Sequence, residues 1–272
     1  MLPLSLWPAE DRRRITGIFS DIDDTLTTDG AITSDALDAL ARLKDAGLRV
    51  VAITGRPVGW SLPFARTWPV DAIVAENGAV ALITRPRTHE GDDDDEALTR
   101  LYLQDAETRA RNFTRMQQAA QRLLREVPGA QLARDSAGRE TDIAIDHSEF
   151  SQLSNTQIAQ LVRIMQDEGM SATVSSIHIN GWFGTHNKLV GAQWVVRVLY
   201  GRTLDTERDQ WVYVGDSTND QLMFQAFGNS IGVANIRRFE PQFTHLPRYI
   251  TPSERGAGFA EVAQALLSSR SA

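Results

Sequence analysis

Carboxylates crowd the stretch GIFSDIDDTLTTDG, which spans residues 17–30 and begins with a short apolar run. Asp21 and Asp23 stand two positions apart, and Asp24 and Asp29 follow closely. Neighbouring like charges are unfavourable, and burying them is worse, unless a cation or a reacting group makes use of them. One carboxylate held against a cation can attack an electrophilic phosphorus, and a second two positions along can transfer protons. Taken alone, the same spacing also fits an Asx turn that caps a helix. A divalent cation with oxygen ligands would share their charge.

Other polar residues follow predicted strands in the same way. The apolar run LRVVAIT ends at Thr54. Lys188 begins a predicted helix, and the predicted strand that follows this helix, DQWVYVGD, leads into GDSTND (215–220). Ligands of an open parallel sheet bind outside the carboxyl ends of its strands, so these residues are expected at one edge. A lysine and a hydroxyl there can bind phosphoryl oxygens, which predicts phosphoryl transfer.

The elements that must position these residues alternate as a parallel sheet requires. The β-α-β-α-β order at the start of the chain implies right-handed crossovers, and the α/β rhythm returns near residue 187. These elements are strands over 14–20, 48–54, 70–76, 209–216 and 229–235, and helices over 34–47, 58–67, 187–201, 219–227 and 256–269. The pattern predicts an α/β core.

A long insert interrupts that core. Thr54 and Lys188 are 134 positions apart, far more than a βα unit needs. Its pattern predicts an α+β unit with antiparallel pairing: a polar loop over 85–97 with four consecutive aspartates, a helical stretch over 98–126, strands over 129–135 and 140–147, a helix over 154–169, and two further strands. We therefore divide the chain into a core domain (1–84 and 186–272) and a cap domain (85–185).

The motifs DIDDTL, ITGR, NK and GDSTND, in that order, resemble the four motifs of the haloacid dehalogenase-like superfamily of phosphatases and phosphotransferases. ENGAVAL (76–82) resembles the segment leading into the cap of its Cof-like branch, which carries a type IIB cap and includes sucrose-phosphate and mannosyl-phosphoglycerate phosphatases. The resemblance spans essentially the whole chain. It implies a Rossmann-like parallel-sheet core with an inserted α+β cap.

The resemblance also implies roles for the acidic residues. Asp21 resembles the nucleophile that forms an aspartyl-phosphate, and Asp23 resembles the general acid/base, whose backbone carbonyl binds Mg²⁺. Asp216 resembles the acidic Mg²⁺ ligand, so the expected metal site comprises Asp21, Asp23 and Asp216. Asp220 resembles the second acid of its motif, a ligand through water or a partner of the lysine. Asp24 is assigned to local structure.

Four residues are expected to bind the phosphoryl group. Thr54 resembles the phosphate-binding hydroxyl, with the Gly55 amide beside it, and Lys188 resembles the cation that neutralises nucleophile and phosphate. Asn219 is expected to orient the phosphate or its own loop. Thr54 and Lys188 therefore complete the catalytic set with the two aspartates.

Substrate contacts are expected among four further side chains. Arg56 is a candidate for substrate or phosphate, with a surface ion pair as the alternative. Trp182 is a candidate for stacking on a sugar, with a packed hinge aromatic as the alternative. Arg134 and Arg139 are candidates for an anionic group, with plain surface charge as the alternative.

Composition narrows the class of protein further. The 272 residues carry a net charge of -7, which argues against a broad basic face for nucleic acid. The chain has no cysteine, which excludes disulfides and thiolate metal sites. No apolar run approaches the roughly 20 residues that span a bilayer, so we expect no membrane partner and a cytoplasmic location.

The function predicted from the sequence is Mg²⁺-dependent hydrolysis of a small phosphate ester, a sugar phosphate in particular. A phosphomutase, which passes the phosphoryl group to another sugar hydroxyl, remains an alternative. A signalling receiver domain also uses a phosphorylated aspartate, but Asp23 at the +2 position and the long insert argue against it. A catalytically silent binding protein is disfavoured because every reactive group is present.

Overall fold

The computed structural model describes residues 1–84 and 98–270. Its strands are β1 (Leu2–Pro3), β2 (Gly17–Ser20), β3 (Thr27–Thr28), β4 (Ala31–Ile32), β5 (Arg49–Ile53), β6 (Ala72–Ala75), β7 (Val80–Thr84), β8 (Leu98–Tyr102), β9 (Gln131–Leu132), β10 (Ile143–Asp146), β11 (Ser171–Val174), β12 (His178–Trp182), β13 (Trp211–Gly215), β14 (Asn229–Gly232) and β15 (Tyr249–Ile250). Its α-helices are α1 (Ala9–Arg14), α2 (Ser34–Asp45), α3 (Val58–Thr67), α4 (Ala106–Glu126), α5 (Asn155–Asp167), α6 (Lys188–Tyr200), α7 (Gln221–Ala226) and α8 (Arg255–Ser268). None of the helices described is long and apolar enough to cross a membrane.

The core is a nine-stranded sheet in the order β1-β15-β14-β13-β2-β5-β6-β7-β8. Its pairings are parallel from β1 to β6 and antiparallel at β6–β7 and β7–β8. Every residue of β2 is buried, as expected for a parallel strand covered on both faces. The predicted α/β core with a parallel sheet is confirmed.

Helices cover both faces of this sheet. On one face α2, α3 and α8 pack through apolar side chains such as Leu40, Ala65 and Phe259. On the other face α6 and α7 pack through Val195 and Phe224. Two buried apolar layers therefore hold the strands that carry the motifs, so the positions of the strand ends are fixed by the core.

Residues 98–102 differ from the prediction. They form β8, which pairs with the exposed edge of β7, and the helix predicted from residue 98 begins only at Ala106. The helix begins there because Asp105 caps it by accepting a hydrogen bond from the Thr108 N–H at 2.8 Å. The strand forms because pairing with β8 satisfies the backbone hydrogen-bonding groups at the edge of β7, which would otherwise be unpaired. The division into core and cap at residue 85 stays a prediction, but strand pairing places 98–102 with the core sheet. The predicted loop over 85–97 lies outside the described residues.

The inserted segment forms its own α+β layer. Four strands pair antiparallel in the order β11-β12-β10-β9. The helices α4 and α5 pack with this sheet around a separate apolar cluster that includes Met116, Leu161 and Ile179. The predicted α+β cap is therefore confirmed as part of the fold.

Candidate active site

Two neighbouring strand ends bring the first aspartates together. β2 and β13 run parallel with Ser20 opposite Val214, so Asp21 and Asp216 leave the sheet at the same edge. The Asp21 N–H donates to the Val214 carbonyl at 2.9 Å, which continues the pairing by one residue. Both aspartates are buried.

Lys188 connects the two motif loops. Its Nζ donates to Asp21 Oδ1 at 2.8 Å and to Asp220 Oδ1 at 2.7 Å. Burial opposes the ammonium charge, but the two carboxylates outweigh it and raise the pKa of Lys188. The lysine is therefore a buried cation shared by two anions.

The helix of Lys188 is held close to the segment leading into the cap. Asn187 caps α6 by accepting from the Leu189 and Val190 N–H groups. One turn along, Gly191 lies against Gly78, and a Cβ on Gly191 would fall 2.5 Å from the Gly78 Cα. Backbone contact at this point needs both glycines, and Gly78 also has a φ of +105°.

Asp220 organises the loop around Asp216. Its Oδ2 accepts from the N–H groups of Asp216 at 2.9 Å and Ser217 at 3.1 Å. Its Oδ1 accepts from the Tyr213 hydroxyl as well as from Lys188. Sequence reasoning missed Tyr213, although a tyrosine in a strand predicted to be buried needs a partner for its hydroxyl.

Asp216 has one oxygen without a partner. Its Oδ2 accepts from Asn235 Nδ2 at 3.1 Å, whereas its Oδ1 is buried and has no hydrogen bond. Burial, with the nearby charges of Asp21 and Asp220, raises the pKa of Asp216 well above its ordinary value. An unpartnered buried carboxylate oxygen is costly unless a cation binds it. Asn235 was also missed, because its distance along the chain gives no sign of the contact.

Two of three clustered, buried carboxylates are free to bind a magnesium ion. Ligand atoms of Asp21, Asp216 and Asp220 lie within 4.8 Å of one another. Burial raises the pKa of Asp21 to about 7, against the opposing effect of Lys188, and one lysine does not balance three carboxylates. Both oxygens of Asp220 already accept hydrogen bonds, so Asp21 and Asp216 are the side chains available to a cation. Mg²⁺ prefers such oxygen ligands.

Asp23 is held by Arg56. The Arg56 Nε donates to the two Asp23 oxygens at 2.9 and 3.1 Å. The same guanidinium donates to Glu149 at 2.8 Å and to Asp135 at 3.2 Å, and both of these belong to the cap. Arg56 is 6% exposed, so it is a bridging cation with three partners. We call these four residues the Arg56 cluster.

The residues predicted to bind phosphate lie close to one another but differ in exposure. Gly55 and Asn219 line a small cavity together with Asp21. Thr54 is fully buried and does not line that cavity, and its hydroxyl accepts from the Arg56 N–H at 2.9 Å. Gly55 and Asn219 are therefore the members of this set that face the space beside Asp21.

The cap closes over this space. The cavity beside Asp21 has a volume of about 10 Å³ and is bounded by residues 175–178 and Asn180 of the cap. That is room for about one water molecule. The Thr218 hydroxyl also donates to the Val174 carbonyl at 2.9 Å, which joins the Asp216 loop to the cap. A substrate can enter only after the cap moves.

Three predicted substrate residues do not line the cavity beside Asp21. Arg139 is buried, pairs with Asp142 at 2.8 Å, and donates to the Gly55 carbonyl at 3.0 Å. Arg134 is exposed and lies 3.7 Å over the ring of Phe150. Trp182 is buried and donates from Nε1 to a backbone carbonyl four residues away at 3.0 Å. Arg139 thus connects cap and core, and Trp182 occupies a packed position.

Glu76 was also missed by the sequence reasoning. This fully buried side chain accepts from the Val58 N–H of the core at 3.1 Å and from the Glu140 N–H of the cap at 3.0 Å, with Thr141 as a further donor. Burial and the charge of Asp142 raise the pKa of Glu76 to about 7. Glu76 therefore ties the cap to the core beside the site.

A sequence comparison links the first part of the chain to a known family. The sequence model of the haloacid dehalogenase-like hydrolase family matches residues 18–100. A search of curated protein sequences found no match. Solved structures match almost the whole chain in fold. The resemblance found in the motifs agrees with this family match over residues 18–100, and with the shared fold over almost the whole chain.

Three solved structures illustrate the shared fold. A sucrose-phosphatase from Synechocystis sp. PCC6803, in complex with sucrose and phosphate, is 18% identical with a TM-score of 0.63, and the match covers 93% of this chain and 98% of that chain. A HAD/COF-like hydrolase from Plasmodium vivax is 16% identical with a TM-score of 0.65, covering 96% and 99%. A Thermoplasma acidophilum protein is 15% identical with a TM-score of 0.67, covering 93% and 98%. At such identities the likeness establishes the fold.

Proposed function

We propose that the protein is a phosphatase that hydrolyses a small phosphate monoester, a sugar phosphate in particular, with the help of Mg²⁺. The observation that carries the proposal is the buried Lys188 held between Asp21 and Asp220, next to the unpartnered oxygen of Asp216. This arrangement offers a nucleophilic carboxylate, a fixed cation and a cation-binding oxygen within one small volume. No nucleic acid or membrane partner is part of the proposal.

In the first half of the reaction, an Asp21 oxygen attacks the phosphorus of the ester. A bond forms between this oxygen and phosphorus while the bond from phosphorus to the ester oxygen breaks. Asp23 gives its proton to the departing oxygen, which leaves as an alcohol. Arg56, which contacts both Asp23 oxygens, fixes the direction in which that carboxyl group faces.

In the second half, Asp23 takes a proton from water as the water oxygen attacks the aspartyl-phosphate. The bond between Asp21 and phosphorus breaks, and inorganic phosphate is released. Lys188 stays close to the Asp21 oxygen through both halves, so its charge favours the anionic transition states. Mg²⁺, bound by Asp21 and Asp216, would offset the negative charge of the phosphoryl group and the carboxylates.

The sugar-phosphate part of the proposal is supported by the shared fold of the sucrose-phosphatase, which was solved in complex with sucrose and phosphate. The nearly closed cavity beside Asp21 supports the phosphoryl-transfer part of the proposal, because closure excludes bulk water during the reaction.

The proposal is tested with p-nitrophenyl phosphate and Mg²⁺. Asp21→Asn should lower turnover by about 10³-fold or more, since loss of a covalent nucleophile removes the main route. Asp38→Asn, an exposed charge on α2, is the matched control and should retain full activity. Retention of activity in Asp21→Asn would contradict the proposal, and so would a wild-type protein that hydrolyses no phosphate ester.

A further inference from the structure

A second cavity adjoins the site on the side of Asp23. Its volume is about 480 Å³, within the range of small-molecule pockets, and it shares Asp23, Arg56, Ser176 and Ile177 with the small cavity beside Asp21. We call it the Asp23 cavity. A larger cavity of about 870 Å³ between α5, β11 and the core is lined by neither Asp21 nor Asp23. Since Asp23 is the proposed proton donor to the departing oxygen, the departing group extends into the Asp23 cavity.

One arginine of the Asp23 cavity is neutralised by two carboxylates. Arg255 pairs with Asp24 at 3.1 Å and with Asp29 at 3.0 Å. All three residues line the cavity. Asp24 and Asp29 come from the loop of the first motif, whereas Arg255 opens α8, so the pairs join distant parts of the chain around this space.

The other two arginines that line the cavity are also paired. Arg56 is bound by three carboxylates in the Arg56 cluster. Arg238 pairs with Glu254 at 3.1 Å. Among the described residues, every cation lining the cavity therefore has a carboxylate partner, and carboxylates outnumber cations there.

The rest of the lining suits hydroxyl groups and carbon-bound hydrogens. Carboxylate oxygens of Asp24 and Glu149 accept hydrogen bonds, and the hydroxyls of Ser148 and Ser176 both donate and accept. Phe150 and Ile177 add apolar surface on which a sugar ring can pack. A second anionic group on the substrate would face carboxylates, and each arginine that lines the cavity is already paired with one. Arg134, which covers one face of the Phe150 ring, does not line the cavity.

We propose that the Asp23 cavity recognises the departing group and selects an uncharged polyhydroxylated one, a sugar or polyol, over one that carries an anionic group. The substrate is thus a monophosphate of a neutral sugar or polyol rather than a phosphorylated sugar acid or a bisphosphate. The inference rests on the proposed function, because it takes Asp23 as the acid that serves the departing oxygen.

Two esters of matched size test this selection. Glucose 6-phosphate releases glucose, which is uncharged, whereas 6-phosphogluconate releases a sugar acid whose carboxylate is negatively charged. Their dissociation constants are measured by calorimetry on the Asp21→Asn protein with Mg²⁺, which avoids turnover. Glucose 6-phosphate should bind about tenfold more tightly or better. Equal binding, tighter binding of 6-phosphogluconate, or failure of both esters to bind would overturn the inference.

A charge-removing variant shows whether the cavity itself makes the selection. Asp24 has a φ of +55°, which asparagine adopts readily, so Asp24→Asn keeps the backbone while removing one charge. The preference should fall by about threefold, through tighter binding of 6-phosphogluconate. Asp38→Asn removes the same charge elsewhere and should leave the preference unchanged. If Asp24→Asn does not fold, Asp29→Asn replaces it, since the Asp29 side chain is 85% exposed.

The results separate the two proposals. Failure of the wild-type protein to hydrolyse any phosphate ester would contradict the phosphatase function. Hydrolysis of esters together with an unchanged preference in the Asp24→Asn and Asp29→Asn proteins would keep that function and overturn the role of the Asp23 cavity.

Discussion

Arg56 of the core donates to Glu149 of the cap at 2.8 Å while it also contacts Asp23. The proposed acid of the reaction and the closed position of the cap therefore depend on one guanidinium. Although burial opposes it, the hydrogen bonds from His178 and Arg56 lower the pKa of Glu149 to about 2. Glu149 is thus an anion at neutral pH, and the contribution of its ion pair is lost only as the pH falls from its ordinary pKa toward 2.

The first prediction concerns this contact. Glu149→Gln removes the charge of one partner but leaves Arg56 with Asp23 and Asp135, so the closed cap should be weakened by roughly 1 kcal/mol. Hydrogen exchange of the backbone over 175–178 should then become about fivefold faster, as measured by mass spectrometry. Glu126→Gln breaks an exposed pair on α4 and serves as the control. Unchanged exchange over 175–178 would show that the pair does not hold the cap.

The second prediction concerns Tyr213. Tyr213→Phe removes one of the two donors to Asp220 Oδ1, so Lys188 should be drawn toward Asp220 and away from Asp21. We expect kcat for p-nitrophenyl phosphate to fall by about tenfold with little change in KM, since the loss affects transition-state stabilisation. Tyr249→Phe on β15, two strands away, should leave kcat unchanged. A rise in KM at constant kcat would assign Tyr213 to substrate binding instead.

The third prediction concerns the pH dependence of stability. Burial raises the pKa of Glu76 from its ordinary 4.5 to about 7. Between these values the folded protein keeps a proton that the unfolded chain releases, so the free energy of unfolding falls as the pH rises through this window. Each pKa unit corresponds to about 1.4 kcal/mol.

Glu76→Gln should flatten this fall, because glutamine does not titrate. Denaturant unfolding at several pH values between 4.5 and 7 measures the difference between the wild type and the variant. Glu107→Gln on α4, whose side chain is 91% exposed, is the control and should keep the wild-type slope. A wild-type slope in Glu76→Gln would contradict the raised pKa.

Sequence alone could predict the parts of the site that follow from sheet geometry. Asp21, Thr54 and Asp216 each end a strand or follow one, and parallel strands bring such ends to one edge. The cap was predictable from the length of chain between Thr54 and Lys188. These inferences need only local patterns and the known order of a parallel sheet.

The remaining contacts could not be predicted, because they join residues that are distant in the chain. Arg255 and Asp29 are 226 positions apart, and Arg56 and Glu149 are 93 apart. No local periodicity carries such pairings. Residues 98–102 illustrate a different limit, since a short segment next to a helix became a strand when the edge of β7 offered a partner.

The contact between Gly78 and Gly191 fixes the position of α6, and with it the position of Lys188 in the site. Each glycine occupies space that a methyl group on the other would need. A Cβ atom on Gly78 would also fall 2.3 Å from the Asn187 carbonyl oxygen. Alanine at either position would push the start of α6 outward and carry Lys188 away from Asp21. The 2.8 Å separation between that lysine and the proposed nucleophile is thus kept by two side chains that consist of a hydrogen atom.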